Sequence, residues 1–168
     1  MIILVDIGNS NIVLSQYDKG FLETYRFNTD KNKSIDEYYV LLQNVIKSAT
    51  GMIISSVVPE LNIIFKSLAQ KYMKLEPMFI GPGVKTGVQI KIDNPKELGT
   101  DIVSDAVGAM SFHNADNAII VDMGTATTVS ILENKVIKGV SISAGLVTQR
   151  NALVGNASQL SQFEFKIP

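Results

Sequence analysis

At 168 residues the chain has room for one ordinary domain or two small ones, and it can bury a real core. A hydrophobic fraction of 46% against 18% charged residues excludes a disordered chain, and a net charge of −1 leaves no basic surplus for a phosphate backbone, so no nucleic-acid partner is expected. The absence of cysteine excludes disulfides, thiolate zinc sites and cysteine nucleophiles, and the single histidine, His113, leaves almost no route to a histidine-based triad.

In chain order, residues 2–6 are an apolar run ending in Asp6, the pattern of a strand buried on both faces. Too short for a signal peptide, this opening and the lack of any membrane-length apolar run point to a soluble, cytoplasmic setting. After a turn at Gly8, residues 12–17 and 21–27 read as two further strands joined by the turn Asp18-Lys19-Gly20, which makes a meander. Ser34 with Glu37 is a capping box, and Ile35, Tyr38, Leu41, Leu42, Val45 and Ile46 form a helical stripe behind it. Of the adjacent tyrosines, Tyr38 belongs to the core of that helix and Tyr39 to its rim. Residues 52–58 are the next strand, and Pro59 opens a helix carrying Leu61, Ile64, Phe65, Leu68 and Tyr72.

Residues 77–80 read as a short strand running into "GPGVKTG", residues 81–87, an ordered loop. Asn94-Pro95 marks a turn and Thr100-Asp101 a helix start, with Thr100 as cap, running to about residue 112; His113 sits at its terminus. The pattern then restarts. Residues 118–122 lead into a Gly124 turn, strands follow at 127–133 and 136–143, and a helix begins near Leu146. The series is α/β with mixed strand pairing.

The two restarts share residues as well as pattern. "LVDIGNSN" at residues 4–11 and "IVDMGTAT" at 120–127 each run an apolar strand into Asp, then Gly, then small polar residues. Such a turn places backbone N–H groups around a phosphate, while its carboxylate can hold a cation. Asp and Gly also serve ordinary hairpin turns, but that chemistry alone gives no reason for the same residues in two matching meanders. Two such turns facing one another would grip a triphosphate.

The duplicated meander resembles the actin, sugar kinase and Hsp70 superfamily of ATPase domains. "GPGVKTGVQIKIDNPKELGTD" at 81–101, "VDMGTATT" at 121–128, "DIGNSN" at 6–11 and "SSVVPE" at 55–60 together resemble type III pantothenate kinase. The resemblance implies a duplicated ribonuclease H-like, actin-like ATPase fold, with a first domain at 1–115 and the start of a second, incomplete one at 116–168. It implies phosphorylation of pantothenate by ATP, with Mg²⁺, a monovalent cation (K⁺ or NH₄⁺) and a homodimer. By match of motif, Asp6, Gly8, Asn9, Ser10 and Asn11 would bind ATP in the first phosphate loop, and Gly124, Thr125 and Thr127 in the second. Asp6 and Asp122 would serve the cations. Gly81, Gly83, Lys85, Thr86, Gly87, Gly99 and Thr100 would meet pantothenate, and Asp101 would orient its hydroxyl from the first turn of a helix, where the dipole favours the carboxylate. Lys85, Asp93 and Asn94 otherwise read as a solvated charge and turn formers.

The chain departs from the family pattern at several places. Ile102 stands where the family has Arg after the catalytic Asp, Ile92 where Tyr precedes the DNP string, Ser130 for an Asp, and Lys138 and Ala144 for a Gly and a Pro in the later glycine motif. Isoleucine offers no charged fork to a carboxylate. The family's C-terminal stretch also continues beyond this sequence. Two alternatives stay open on these grounds: a non-catalytic or regulatory relative, and a kinase for another small alcohol.

Overall fold

The structure is a computed structural model that describes residues 1–81, 84–156 and 163–165. The chain folds into two compact units, one from Met1–Gly87 with Lys96–Val107, the other from Val88–Pro95 with Gly108–Pro168. Chain order and unit membership therefore interleave around residues 88–107.

The first unit is built on a five-stranded mixed sheet. Strands β1 (Ile2–Ile7), β2 (Asn11–Tyr17) and β3 (Phe21–Asn28) form the antiparallel meander, and β4 (Gly51–Ser56) and β5 (Met78–Phe79) run parallel to β1 on its other side, in the order β3-β2-β1-β4-β5. One face carries Ile3, Val5, Ile7, Ile12, Leu14, Met52 and Ile54, all buried. Helices α1 (Ile35–Ile46) and α2 (Pro59–Leu68) cover that face with Tyr38, Leu42, Val45, Ile46, Leu61, Phe65 and Leu68. The expectation that β1 is buried on both faces holds for one only. Ile2 and Asp6 are exposed, because the helical core packs on the side of Ile3, Val5 and Ile7.

Both helix starts follow the chain's local chemistry. The Ser34 hydroxyl accepts the Glu37 N–H at 3.3 Å while Glu37 accepts the Ser34 N–H at 2.8 Å, an arrangement that stabilises a helix by about 1 kcal/mol. Pro59 occupies the first turn of α2, where its missing N–H costs nothing. Leu41 is exposed, outside the buried stripe.

An unexpected feature follows α2. The chain widens into a π-helical turn at Ala69–Met73, closed by Lys74 at φ 57°. That turn stacks Tyr72 on Tyr39, with ring centroids 3.6 Å apart, and Asp36 accepts hydrogen bonds from both the Tyr72 hydroxyl and the Lys71 ammonium. Such a widening has no simple apolar period and is invisible to a 3.6-residue pattern.

The second unit has a four-stranded sheet in the order β6-β9-β8-β7. Its meander comprises β7 (Ala118–Met123), β8 (Ala126–Glu133) and β9 (Val136–Ala144), all antiparallel, and β6 (Gln89–Ile90) pairs parallel with β9. The two-residue β6 was not expected, being too short to show alternation. Asn134 and Lys135 both adopt positive φ, as the tight β8–β9 hairpin requires. Leu132, Val136 and Ile137 are buried, whereas β7 leaves Ile119, Val121 and Met123 exposed. Helix α4 (Leu146–Asn156) follows β9, and α3 (Thr100–His113) begins in the first unit and ends in the second. Among the described residues, no helix is long and apolar enough to cross a membrane.

Candidate functional site

Parallel strands bring three chain segments to one edge of the first sheet. Ile7, the last residue of β1, pairs with Ser56, the last of β4, and the Ile7 carbonyl accepts the Val57 N–H at 3.0 Å. β5 lies next to β4, with the Ile80 N–H donating to the Ile54 carbonyl at 2.8 Å. The Gly8 turn, the Ser55-Ser56 step and the loop at Gly81 therefore all leave the carboxyl ends of the strands. In open α/β sheets that edge is where ligands bind.

Helix α3 is fixed to the same edge through its first residue. The Thr100 hydroxyl accepts the Ser56 N–H at 3.1 Å, donates to the Ser56 carbonyl at 3.1 Å, and lies 3.1 Å from the Ser55 hydroxyl. This corrects the expectation that Thr100 caps its own helix: its side chain is spent on β4. Asp101 follows directly, and its Oδ1 accepts the Ile102 N–H at 2.8 Å, one of the N–H groups a helix start leaves unpaired.

Gly99 lies under that carboxylate. A Cβ at Gly99 would stand 2.2 Å from Asp101 Oδ1, so glycine here makes room for the carboxylate in its present orientation. Ile102, at the position of the family's Arg, is 4% exposed and belongs to the packed side of α3. No charged group is presented from that position.

The first turn spans four residues, Gly8 to Asn11, between the paired Ile7 and Ile12. The Gly8 N–H donates to the Asn11 carbonyl at 2.9 Å. Thr29, just past β3, ties the turn from outside: its hydroxyl donates to the Gly8 carbonyl at 2.6 Å and its N–H to the Ser10 carbonyl at 3.0 Å. Asp6 is exposed one residue before the end of β1, and Asn9 and Ser10 are exposed at the tip.

In the loop after β5, Gly81 begins a turn in which its carbonyl accepts the Val84 N–H at 3.1 Å. Gly87 has φ +81°, a conformation that favours glycine. Lys85 is exposed and Thr86 half-buried. Gly83 lies outside the described residues. A hollow of about 290 Å³ adjoins this edge, lined by Ser56, Phe79 and Ile80 with Asn62, Ile63 and Lys66 of α2. The Asn62 Oδ1 is buried without a donor, an acceptor available to an N–H or O–H group.

The second turn spans three residues, Gly124 to Ala126, between the paired Met123 and Thr127. The Gly124 N–H donates to the Ala126 carbonyl at 2.8 Å. The Thr125 carbonyl is held twice, by the Gly145 N–H at 3.0 Å and by the Thr148 hydroxyl at 2.7 Å. Asp122 is exposed, one residue before the end of β7, and Thr127 pairs with Ser143. Among the described residues no group of three or more acidic, His or Cys side chains gathers to hold a metal alone. Asp6 and Asp122 each fit the role of one carboxylate that completes its cation shell with phosphate oxygens and water, the usual arrangement for Mg²⁺.

Sequence reading missed the supporting residues. Thr29 and Thr148 stand in no motif that signals chemistry, and Ser55 and Ser56, inside the "SSVVPE" string, had been given no role of their own. Gly145 carried a signal of the same kind, as the final glycine of "KGVSISAG".

Comparison with known proteins gives the family and the fold. The model of the family described as type III pantothenate kinase matches residues 2–168. A type III pantothenate kinase of Acholeplasma laidlawii is 42% identical over 171 residues, which cover 100% of this chain and 68% of the relative. Among solved structures, a protein described as a conserved Baf family transcriptional activator from Campylobacter jejuni aligns at TM-score 0.57 and 20% identity, over 99% of this chain and 68% of that one. A protein described as a 2-dehydro-3-deoxygalactonokinase from Sinorhizobium meliloti aligns at TM-score 0.53 and 12% identity, over 95% of this chain and 58% of the other. At these identities the structures speak for the fold alone, that of the actin-like ATPases and sugar kinases.

Proposed function

The chain belongs to the type III pantothenate kinase family, ATP-dependent kinases of coenzyme A biosynthesis, and from that premise we propose that Asp101 orients the primary hydroxyl of pantothenate for attack on the γ-phosphate of ATP. The observation that carries this reading is the Gly99–Asp101 pair: a glycine clears the space of the carboxylate, and the Ile102 N–H holds one of its oxygens, leaving Oδ2 for a hydroxyl. A carboxylate in that role need not be a strong base, because phosphoryl transfer depends chiefly on alignment and charge neutralisation.

The Gly8 and Gly124 turns bind phosphate oxygens of ATP, with Asn9, Ser10, Asn11, Thr125 and Thr127 as side-chain partners. Gly81 to Gly87 and Thr100 shape the acceptor site. Asp6 and Asp122 would hold Mg²⁺ and a monovalent cation, K⁺ or NH₄⁺; bound there, they neutralise charge on the phosphates. In this reading residues 1–115 and 116–168 are two copies of one ATPase-like domain, the protein is cytoplasmic, and it works as a homodimer. What favours the duplication is that both meanders end in the same device, a turn carbonyl bonded by the residue just after the third strand, Thr29 or Gly145.

Asp101→Asn tests the central role. We expect turnover to fall by about a hundredfold or more, the usual share of a positioned proton acceptor, with ATP affinity nearly unchanged. Near-normal turnover sinks the assignment. The burial of Ile102 favours one second reading, an acceptor alcohol that lacks pantothenate's carboxylate. ADP release measured with pantothenate and then with small polyols decides between them.

A further inference from the structure

Each glycine turn contains one peptide whose carbonyl is captured by a threonine hydroxyl from beyond the third strand of its own meander. In the first unit it is Gly8–Asn9, held by Thr29 at 2.6 Å. In the second it is Thr125–Ala126, held by Thr148 at 2.7 Å. The peptide unit is planar and trans, so its C=O and N–H point in opposite directions. Fixing the oxygen therefore fixes the hydrogen. With the Gly8 carbonyl drawn toward Thr29, the Asn9 N–H must point away from β3, and it makes no hydrogen bond among the described residues. An oriented backbone donor without a partner, beside an Asp and at a strand's carboxyl end, is matched to an anionic oxygen.

We propose that Thr29 and Thr148 are positioning residues for the nucleotide phosphates, each locking the orientation of one turn peptide by its carbonyl oxygen, Thr29 so that the Asn9 N–H faces the ligand. The proposal rests on the phosphate-binding reading of the two turns and adds the residues that preset them. Neither threonine touches the phosphate. An unbraced turn can rotate its central peptide and present a carbonyl oxygen, which repels an anion. Locking the peptide beforehand removes that competing state, the sense in which a site is preorganised. Gly145 makes the second brace possible, because any Cβ there would lie 2.1 Å from the Gly124 carbonyl oxygen and 2.8 Å from that of Thr125.

The test uses Thr29→Val and Thr148→Val, which keep shape and lose the hydroxyl, beside Thr29→Ser and Thr148→Ser, which keep it. For each valine variant we expect KM for ATP to rise about tenfold, the worth of roughly one hydrogen bond to an ordered group, while KM for pantothenate stays within about twofold. The serine variants should return KM for ATP to near the wild-type value, which a purely structural role of the methyl group would not do. A second measurement needs no nucleotide: amide hydrogen exchange at Asn9 in the ligand-free protein should change several-fold in Thr29→Val and not in Thr29→Ser. Unaltered exchange in Thr29→Val overturns the brace. Altered exchange with unaltered KM for ATP shows that the peptide is braced but does not serve phosphate, and overturns the proposal on its functional side. A wild-type chain that neither binds ATP nor phosphorylates an alcohol defeats the kinase reading itself, and the exchange experiment then still decides the brace.

Discussion

The two glycine turns share an Asp, a Gly and a flanking meander, yet they are not the same turn. Asp6 faces Val13 across the first hairpin and Asp122 faces Thr128 across the second. The offset between the two hairpins is thus 122 − 6 = 116 before the turn and 128 − 13 = 115 after it. The second turn is one residue shorter at the tip. In the first unit a single residue, Thr29, satisfies two turn carbonyls; in the second two residues, Gly145 and Thr148, converge on one. The lesson is that motif letters do not by themselves set the geometry of a turn. What both units preserve is the tie from the segment after the third strand.

The sharpest way to break this comparison is to add a methyl group at its tightest point. Gly145→Ala forces a Cβ against two backbone carbonyls, atoms that cannot swing aside, and should cost about 3 kcal/mol of stability. Gly8→Ala meets only the Asn11 carbonyl at 3.1 Å, a contact relieved by a few tenths of an ångström, and should cost less than about 1 kcal/mol. Urea unfolding of the two variants measures both values. Equal costs would show that the second turn is no more tightly tied than the first.

Gly99→Ala is expected to act on chemistry more than on stability. Its Cβ meets the end of the Asp101 side chain, which can rotate away with little loss of packing. We expect kcat to fall about tenfold or more as the carboxylate leaves its place, with unfolding free energy within about 1 kcal/mol of wild type. A variant with unimpaired kcat would show that the Asp101 rotamer does not matter.

The sequence made the meanders, the capping box, Pro59 and the order of helices legible because each is a local rule with its own period or cap. Tyr38 was readable as core and Tyr39 as rim for the same reason. The pieces it concealed depend on distant partners. Thr29 and Thr148 are ordinary threonines until the third strand returns them to a turn, and Ser55-Ser56, legible as part of a motif, shows what it holds only when Thr100 docks on β4. The π-helical turn at Ala69–Met73 and the two-residue β6 lie below what apolar patterning can resolve. Thr100 shows the converse: a correct helix start, given the wrong local partner, because a tertiary hydrogen bond outcompeted the cap.

The smallest expected effect separates the two units by charge. Five carboxyls of the first unit sit below their ordinary range. Lys33 lowers Asp30, Lys71 and then the Tyr72 hydroxyl lower Asp36, the Ser34 N–H lowers Glu37, Lys31 lowers Glu60, and Lys66 with Gln70 lowers Glu76. In the second unit the ion pairs Lys135–Asp116 and Lys138–Glu133 are long, at 3.6 Å each. A carboxyl whose folded pKa is depressed lends stability that is complete above its unfolded value, 3.8 for Asp and 4.5 for Glu, and is lost as pH falls through the folded value. Between about pH 6 and about pH 3 the first unit should therefore lose hydrogen-exchange protection faster than the second, after correction for intrinsic rates. These groups are exposed or, as Asp30 is, half-buried, so the difference should be slight and should shrink further in about 0.5 M salt. Equal losses in both units at low salt would mean that these pairs hold nothing together, and that the first unit rests on the apolar layer between its sheet and its helices alone.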